Sequence, residues 1–448
     1  MSVALVSLGC AKNLVDSEKM LGALGEAGFI VSSQPEGADV VVVNTCSFIE
    51  AAREESRQVI DEMLRLKKAG RVKRVIVAGC LPQRYRERLL DEMSGVDAVA
   101  GAFRQEELPE IIRRAVSKEG GARSAEATFT APASVAADTA RLRLTPRHYA
   151  YLRISEGCDN RCSYCTIPEI RGPLRSKPVE AVLAEGRELV ADGARELILI
   201  GQDTTSYGVD LYGKSRLPEA VRRLAEMDGA RWLRVLYTHP AHYSDEFIDL
   251  FSEAPKLCRY VDIPIQHVSD RILAAMRRRV TKSQIESLIR KLRDRIAGVT
   301  LRTSIIVGFP GETEAEFREL LEFLDAMRFD RVGAFTYSRE EGTPAGVMPE
   351  QVVREVAEAR LDELMRRQQE ISRAANARFI GKELEVVAEG VTEDGRIAAR
   401  SYREAPDVDG VILVENPKAG KRFARESGEF FKVKITQAGP YDCVAEPV

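Results

Sequence analysis

Two hydrophobic periods alternate along most of this chain. In the first third, short β-branched runs at residues 3–8, 39–43, 75–77 and 96–100 are each followed by an amphipathic stretch of helical period, at 14–27, 49–66, 83–93 and 106–116. The runs show little inside–outside alternation, so they predict strands buried on both faces, and the helices between them predict a parallel sheet. Residues 117–138 turn to Gly, Ala, Ser and Thr without a period and read as a linker. The alternation resumes at residue 148, with strands expected at 149–154, 196–200, 232–236, 260–263, 301–307 and 331–335. Six such units suit a partial barrel better than a closed eight-fold one, which needs about 250 residues. Capping-box starts are expected at Ser283–Glu286 and Thr313–Glu316, and a long charged helix at about 349–377. Beyond residue 378, short runs at 383–387, 411–414 and 430–435 between turn residues predict a small antiparallel barrel or sandwich.

The fold expected is therefore α/β: a parallel α/β N-terminal domain (1–116), a linker (117–147), a partial six-stranded β/α barrel (148–377) and a C-terminal β-barrel (378–448). At 448 residues, each unit can bury its own core. Lys and Arg number 66 against 69 Asp and Glu, which excludes a generally phosphate-neutralising chain. No continuous apolar stretch reaches the roughly 18 residues of a membrane span, and the N-terminus reads as a first strand, not a signal peptide. A cytoplasmic protein with reduced thiols is expected, in which clustered cysteines point to metal or catalysis.

The eight cysteines sort into three groups. Cys158, Cys162 and Cys165 form C-x3-C-x2-C directly after the first strand of the second β/α unit. Three thiolates this close on one loop can hold three irons of a cubane cluster and leave the fourth open. A zinc knuckle is the structural alternative, although such sites usually pair C-x2-C twice. Cys10, Cys46 and Cys80 are distant in sequence, yet each ends a strand and opens a turn. The carboxyl ends of neighbouring parallel strands lie side by side, about 4.8 Å apart, so these three could cup a second cluster. Cys258 and Cys443 follow no pattern and read as buried bystanders.

The string Arg153-Ile-Ser-Glu-Gly-Cys158-Asp-Asn-Arg-Cys162-Ser-Tyr164-Cys165 resembles the cluster loop of radical S-adenosylmethionine enzymes, and the flanking domains narrow the resemblance to the methylthiotransferases. Ser7-Leu-Gly-Cys10-Ala-Lys-Asn13, Gly201-Gln-Asp-Thr-Thr-Ser-Tyr-Gly208 and Val261-Asp-Ile-Pro-Ile-Gln-His267 look like the branch that modifies a ribosomal protein. The resemblance implies two 4Fe-4S clusters as metal centres, on Cys158, Cys162 and Cys165 and on Cys10, Cys46 and Cys80. It implies S-adenosyl-L-methionine as both radical source and methyl donor, with methylthiolation of an aspartate β-carbon in ribosomal protein S12. Tyr164, Gln202, Asp203, Gln266 and Gly308 are the cofactor-binding candidates it suggests, with His267 beside Gln266; the plain alternative is a loop-anchoring core aromatic for Tyr164 and a polar cap or turn for the others. No catalytic residue beyond the cluster ligands is implied. A flavodoxin or ferredoxin electron donor and a monomer are expected, with no membrane or nucleic-acid partner.

His239 and His242 read as surface groups or supports rather than ligands, and Arg277–Arg279 as a solvated helix end. From Arg378 to Val448, 11 basic residues face 13 acidic ones, a net −2 that suits a basic polypeptide better than RNA. Two other readings remain open: methylthiolation of a tRNA adenosine, and a non-catalytic iron–sulfur electron carrier.

Overall fold

The computed structural model describes residues 1–86, 88–117, 129, 131–415 and 425–448. The N-terminal sheet contains β1 (Ser2–Ser7), β2 (Ile30–Ser32), β3 (Val40–Thr45), β4 (Arg74–Gly79) and β5 (Ala98–Gly101) in the order β2-β1-β3-β4-β5, all parallel. β3 and β4 are almost wholly buried because helices cover both faces, which is why their side chains do not alternate in polarity. The first helix, α1 (Ala11–Glu26), follows β1. The expected 83–93 helix is instead two short ones, Cys80–Tyr85 and Arg88–Glu92, broken where Arg86 takes a left-handed φ of 54°.

The second unit holds β6 (Tyr149–Arg153), a small antiparallel ribbon of β7 (Ser155–Glu156) and β8 (Arg175–Ser176), then β9 (Glu196–Ile200), β10 (Trp232–Val235), β11 (Tyr260–Asp262), β12 (Thr300–Val307) and β13 (Arg331–Thr336). The parallel sets β10-β9-β6 and β11-β12-β13 form six barrel strands with helices outside. The capping box before the Lys282–Arg295 helix is Thr281–Gln284 rather than Ser283–Glu286, because Thr281 is the last extended residue. Thr313–Glu316 caps the next helix as expected. The long charged helix runs Arg354–Ala377. The C-terminal unit closes as β14-β15-β16-β18-β17, with β14 (Glu383–Val391), β15 (Ile397–Arg400), β16 (Ile412–Val414), β17 (Phe430–Ala438) and β18 (Cys443–Pro447). Parts of the 117–147 linker reading, and of the C-terminal charge count, fall on 118–128, 130 and 416–424, outside the described residues.

The inner face of the partial barrel is covered by the other two units. Val15 of α1 packs with Tyr151, Ile198, Ile200 and Leu236, while Val387, Ala405 and Phe430 of the C-terminal unit join the same apolar cluster. Around that seam lie four buried carboxylates, Asp16, Asp138, Glu156 and Glu185, and four buried cations, Lys19, Arg153, Arg171 and Lys177. Arg153 meets Asp16 and Asp138 at 2.6 Å, and Arg171 meets Asp16 at 2.8 Å. Lys177 meets Asp138 at 2.8 Å and Glu185 at 2.7 Å. Burial alone would push the Asp138 carboxyl up, but Arg153, Lys177 and Lys19 hold it well below the usual range. A seam this polar fixes register more than it adds net stability, since desolvation offsets most of the Coulomb attraction.

Candidate active site

The C-x3-C-x2-C loop leaves β7, and Cys158 N–H donates to Gly172 O at 3.1 Å, which closes the loop against the short Ile167–Arg171 helix. Cys162 is buried, while Cys158 and Cys165 are partly open. Asn160 Nδ2 lies 3.5 Å from Cys158 Sγ and donates to Asp203 Oδ2 at 2.8 Å. Arg278 Nη1 lies 3.6 Å from Cys162 Sγ. Arg278 is thus not part of a solvated helix end: Arg277 and Arg279 face solvent, but Arg278 turns inward because positive φ at both neighbours twists the chain there. Burial pushes the Cys158 thiol up to about 11 and raises Cys165 as well, with each of these thiols also sensing Cys162.

Asp203, at the carboxyl end of β9, is the hub on this side. It accepts from Thr205 N at 3.1 Å and from Ser206 Oγ at 2.8 Å, and meets His242 Nδ1 at 2.7 Å. His239 stacks on His242 at 4.7 Å, and burial together with Arg278 pushes it down to about 2, so it is neutral. His242 thus supports Asp203 directly, and His239, stacked on His242, is buried rather than at the surface. Gln202 is half-buried beside the hub. Tyr164 packs with Ile272, Met276, Phe309 and Ala345 under the loop.

Gln266 sits across the barrel mouth at φ 71°, its backbone bonded to Ser304 O and Ile306 N of β12. His267 is fully buried 3.5 Å from Glu312, which also accepts from Gly308 N at 3.0 Å. Gly308 has φ 75°, and a Cβ there would stand 2.5 Å from Ala357 Cβ. Close approach of the Arg354–Ala377 helix therefore requires glycine at this position irrespective of any ligand.

The second triad is assembled by strand order. β1, β3 and β4 are consecutive in the sheet, so Cys10, Cys46 and Cys80 emerge side by side at their carboxyl ends. Cys10 is exposed and stands at the N-cap position of α1, its thiol making no capping hydrogen bond. A Cβ on Gly9 would meet Cys46 Cβ at 2.7 Å, so the glycine lets the two segments close up. Cys80 is buried, and burial pushes its thiol up to about 12 against the pull of the Arg171 guanidinium, whose Nη2 lies 3.2 Å from the sulfur. Cys46 is raised by burial and then by Cys10.

Both sites offer three thiols in mutual electrostatic reach, with N–H donors aimed at sulfur, a donor set that fits a cubane cluster. Arg171 joins the two sites: it ends the helix that follows Cys165, touches Cys80 and pairs with Asp16 of α1. Sequence reasoning passed over Arg171 and Asn160 and placed Arg278 in solvent. Only their position within the run Cys158–Arg171 hinted at the first two.

Comparison with known proteins places these features in a family. Residues 152–324 match the radical SAM superfamily, 2–101 match uncharacterized protein family UPF0004, and 380–448 match the TRAM domain. The chain is 45% identical over 448 residues to the ribosomal protein uS12 methylthiotransferase RimO of Desulforamulus reducens, covering 99% of both chains. It is 47% identical to the Heliobacterium modesticaldum enzyme of the same name, covering 100% of this chain and 95% of the other. The chain belongs to the uS12 methylthiotransferase family. Among solved structures, the radical S-adenosylmethionine methyltransferase TsrM of Kitasatospora setae superposes with a TM-score of 0.57 at 20% identity, over 77% of each chain. OxsB, a cobalamin-dependent S-adenosylmethionine radical enzyme, gives 0.52 at 14% identity, over 82% of this chain and 56% of the other. Those two likenesses speak for the fold. The iron–sulfur electron-carrier reading gives way to an enzyme, a radical SAM methylthiotransferase.

Proposed function

We propose that this enzyme methylthiolates the β-carbon of an aspartate in ribosomal protein S12, with two 4Fe-4S clusters and S-adenosyl-L-methionine. The observation that carries this reading is the likeness to uS12 enzymes along the whole chain, through all three matched segments. Cys158, Cys162 and Cys165 would hold the cluster that engages S-adenosyl-L-methionine, and Cys10, Cys46 and Cys80 the one that presents sulfur. When bound, these groups supply one-electron C–H cleavage, which no side-chain base can perform on so weakly acidic a proton.

The chain's own residues prepare that chemistry. Asn160 and Arg278 direct N–H groups at Cys158 and Cys162, and Asp203 orients Asn160 while His242 and Ser206 hold Asp203. Tyr164, Gln202, Asp203, Gln266 and Gly308 remain the cofactor-binding candidates, the first four around the barrel mouth and Gly308 through the turn it permits. The buried charge seam ties α1, which follows Cys10, to Arg171, which follows Cys165 and touches Cys80, in surroundings where electrostatic interactions are stronger than in water. The chain reads as a cytoplasmic monomer supplied with electrons by a flavodoxin or ferredoxin. No helix among the described residues is long and apolar enough to cross a membrane.

The test is mass spectrometry of ribosomal proteins and digested tRNA from cells with and without the gene. A methylthio mass shift confined to an S12 aspartate is expected. The same shift on a tRNA nucleoside, with S12 unmodified, would overturn the reading.

A further inference from the structure

Three lysines are buried among the described residues, and two of them are fully paired. Lys177 meets Asp138 and Glu185, and Lys19 meets Glu106, Asp138 and the Ala137 carbonyl. The third, Lys12, is only 5% exposed yet has no carboxylate, carbonyl or hydroxyl partner among the described residues. Its Nζ instead sits 3.2 Å from the centroid of the Tyr237 ring. A ring face accepts no conventional hydrogen bond, so the ammonium keeps its N–H donors for an acceptor from outside the described residues.

The surroundings explain why no carboxylate among the described residues reaches Lys12. Lys12 lies two residues after the exposed Cys10, in the first turn of α1, and Tyr237 senses Lys12, Cys10, Asp262 and Arg302. Asp262, the carboxylate of that neighbourhood, is already engaged: Arg302 Nη1 and Tyr237 N–H both reach it at 2.8 Å. Tyr237 holds a left-handed φ of 60°, an unfavourable conformation for a tyrosine. Its carbonyl accepts from Thr204 N at 3.0 Å, so the strain is locked in by the ends of β9 and β10. The fold thus presents a cation on an aromatic platform, beside the second triad and facing the barrel mouth, with the local acid occupied.

We infer that Lys12 binds the γ-carboxylate of the substrate aspartate. The inference rests on the aspartate reading above and deepens it. In aspartate the carboxylate is one bond from the β-carbon, so anchoring the one orients the other. Lys12 is therefore a specificity-determining residue: it distinguishes an acidic side chain from a neutral isostere, because an amide in the same place would set its own N–H donors against the ammonium.

The experiment measures binding of purified S12, and of S12 with the modified aspartate changed to Asn, to the cluster-loaded enzyme by fluorescence anisotropy. Wild type, Lys12→Met and Lys12→Arg are compared, with iron content per chain as the folding control, and with S-adenosyl-L-methionine binding measured in parallel. For S12 the Met variant should lose about 10- to 100-fold in affinity, and the Arg variant should stay within about 5-fold of wild type. For the Asn form, wild type and Met variant should bind alike, since no charge is left to recognise. Equal loss for both S12 forms would make Lys12 a structural clamp and overturn the inference. So would unchanged S12 affinity in the Met variant, or a loss falling on S-adenosyl-L-methionine instead. If wild type neither binds nor modifies S12, the aspartate reading itself fails, and Lys12 loses its assigned ligand with it.

Discussion

Replacing Asp16 by Asn tests whether the polar seam between α1 and the barrel holds the two cysteine triads in register. Asp16 is fully buried and takes Arg153 at 2.6 Å on Oδ1 and Arg171 at 2.8 Å on Oδ2, with Gln105 Nε2 also donating to Oδ1 at 2.8 Å. An amide in its place keeps one acceptor but turns an NH2 toward one guanidinium, donor against donor. The cluster of four buried acids and four buried cations becomes net positive. Removing one partner of a buried pair costs about 3–5 kcal/mol, a large share of the 5–15 kcal/mol that a domain typically has. The loss should fall on docking of the N-terminal unit rather than on the barrel. Urea titration followed both by circular dichroism and by Trp232, the single tryptophan, which shares the apolar seam cluster with Val15 of α1 and stands edge-on to Phe430, separates the two. The Trp232 midpoint should drop and precede the dichroism change, breaking the coincidence expected of one cooperative unit. Adding Arg153→Met to Asp16→Asn restores neutrality and should recover at least about 1 kcal/mol. A loss under about 1 kcal/mol, matching the exposed control Glu62→Gln, would refute the view that this seam couples the domains.

Cys158, Cys162 and Cys165 changed together to Ala should abolish deoxyadenosine production from S-adenosyl-L-methionine, measured by chromatography. The same change at Cys10, Cys46 and Cys80 should leave uncoupled cleavage but remove methylthio transfer. Gly308→Ala should lower the melting temperature, by a loss of about 1–3 kcal/mol, since the added Cβ lands 2.5 Å from Ala357 at a φ of 75°; an unchanged Tm would contradict that packing. Because Asp138 is held below its ordinary carboxylate value, its contribution is present above about pH 4 and is lost as pH falls through the folded value. Acid unfolding of wild type should therefore show a component that Asp138→Asn lacks.

Much of the architecture was legible along the chain because burial on both faces leaves β-branched runs unmistakable. β3, β4, β9 and β12 stand where those runs predict. The short strands β2, β15 and β18 escaped, since three to five residues with no clear alternation do not carry a period. The break at Arg86 escaped because a left-handed arginine leaves no mark in composition. Arg278 was misread for a related reason: three consecutive arginines look alike in sequence, and only the local twist buries the middle one.

Spacing alone made the C-x3-C-x2-C triad visible, because a loop of eight residues cannot separate its thiols by much. It also showed that Cys10, Cys46 and Cys80 each end a strand. That those strands are neighbours is a fact of sheet order, which no local pattern encodes. The partners of the sulfurs, Arg171 on Cys80 and Arg278 on Cys162, come from residues 91 and 116 positions away. Lys12 is the clearest case. In sequence it is one charged residue near a helix start, indistinguishable from a solvated one. Docking of α1 against the barrel mouth removes it from water and gives it an aromatic ring where the other buried lysines have acids. Local chemistry is written in the order of residues, but desolvation depends on what long-range packing brings alongside, and so the meaning of that charge was decided only by the tertiary structure.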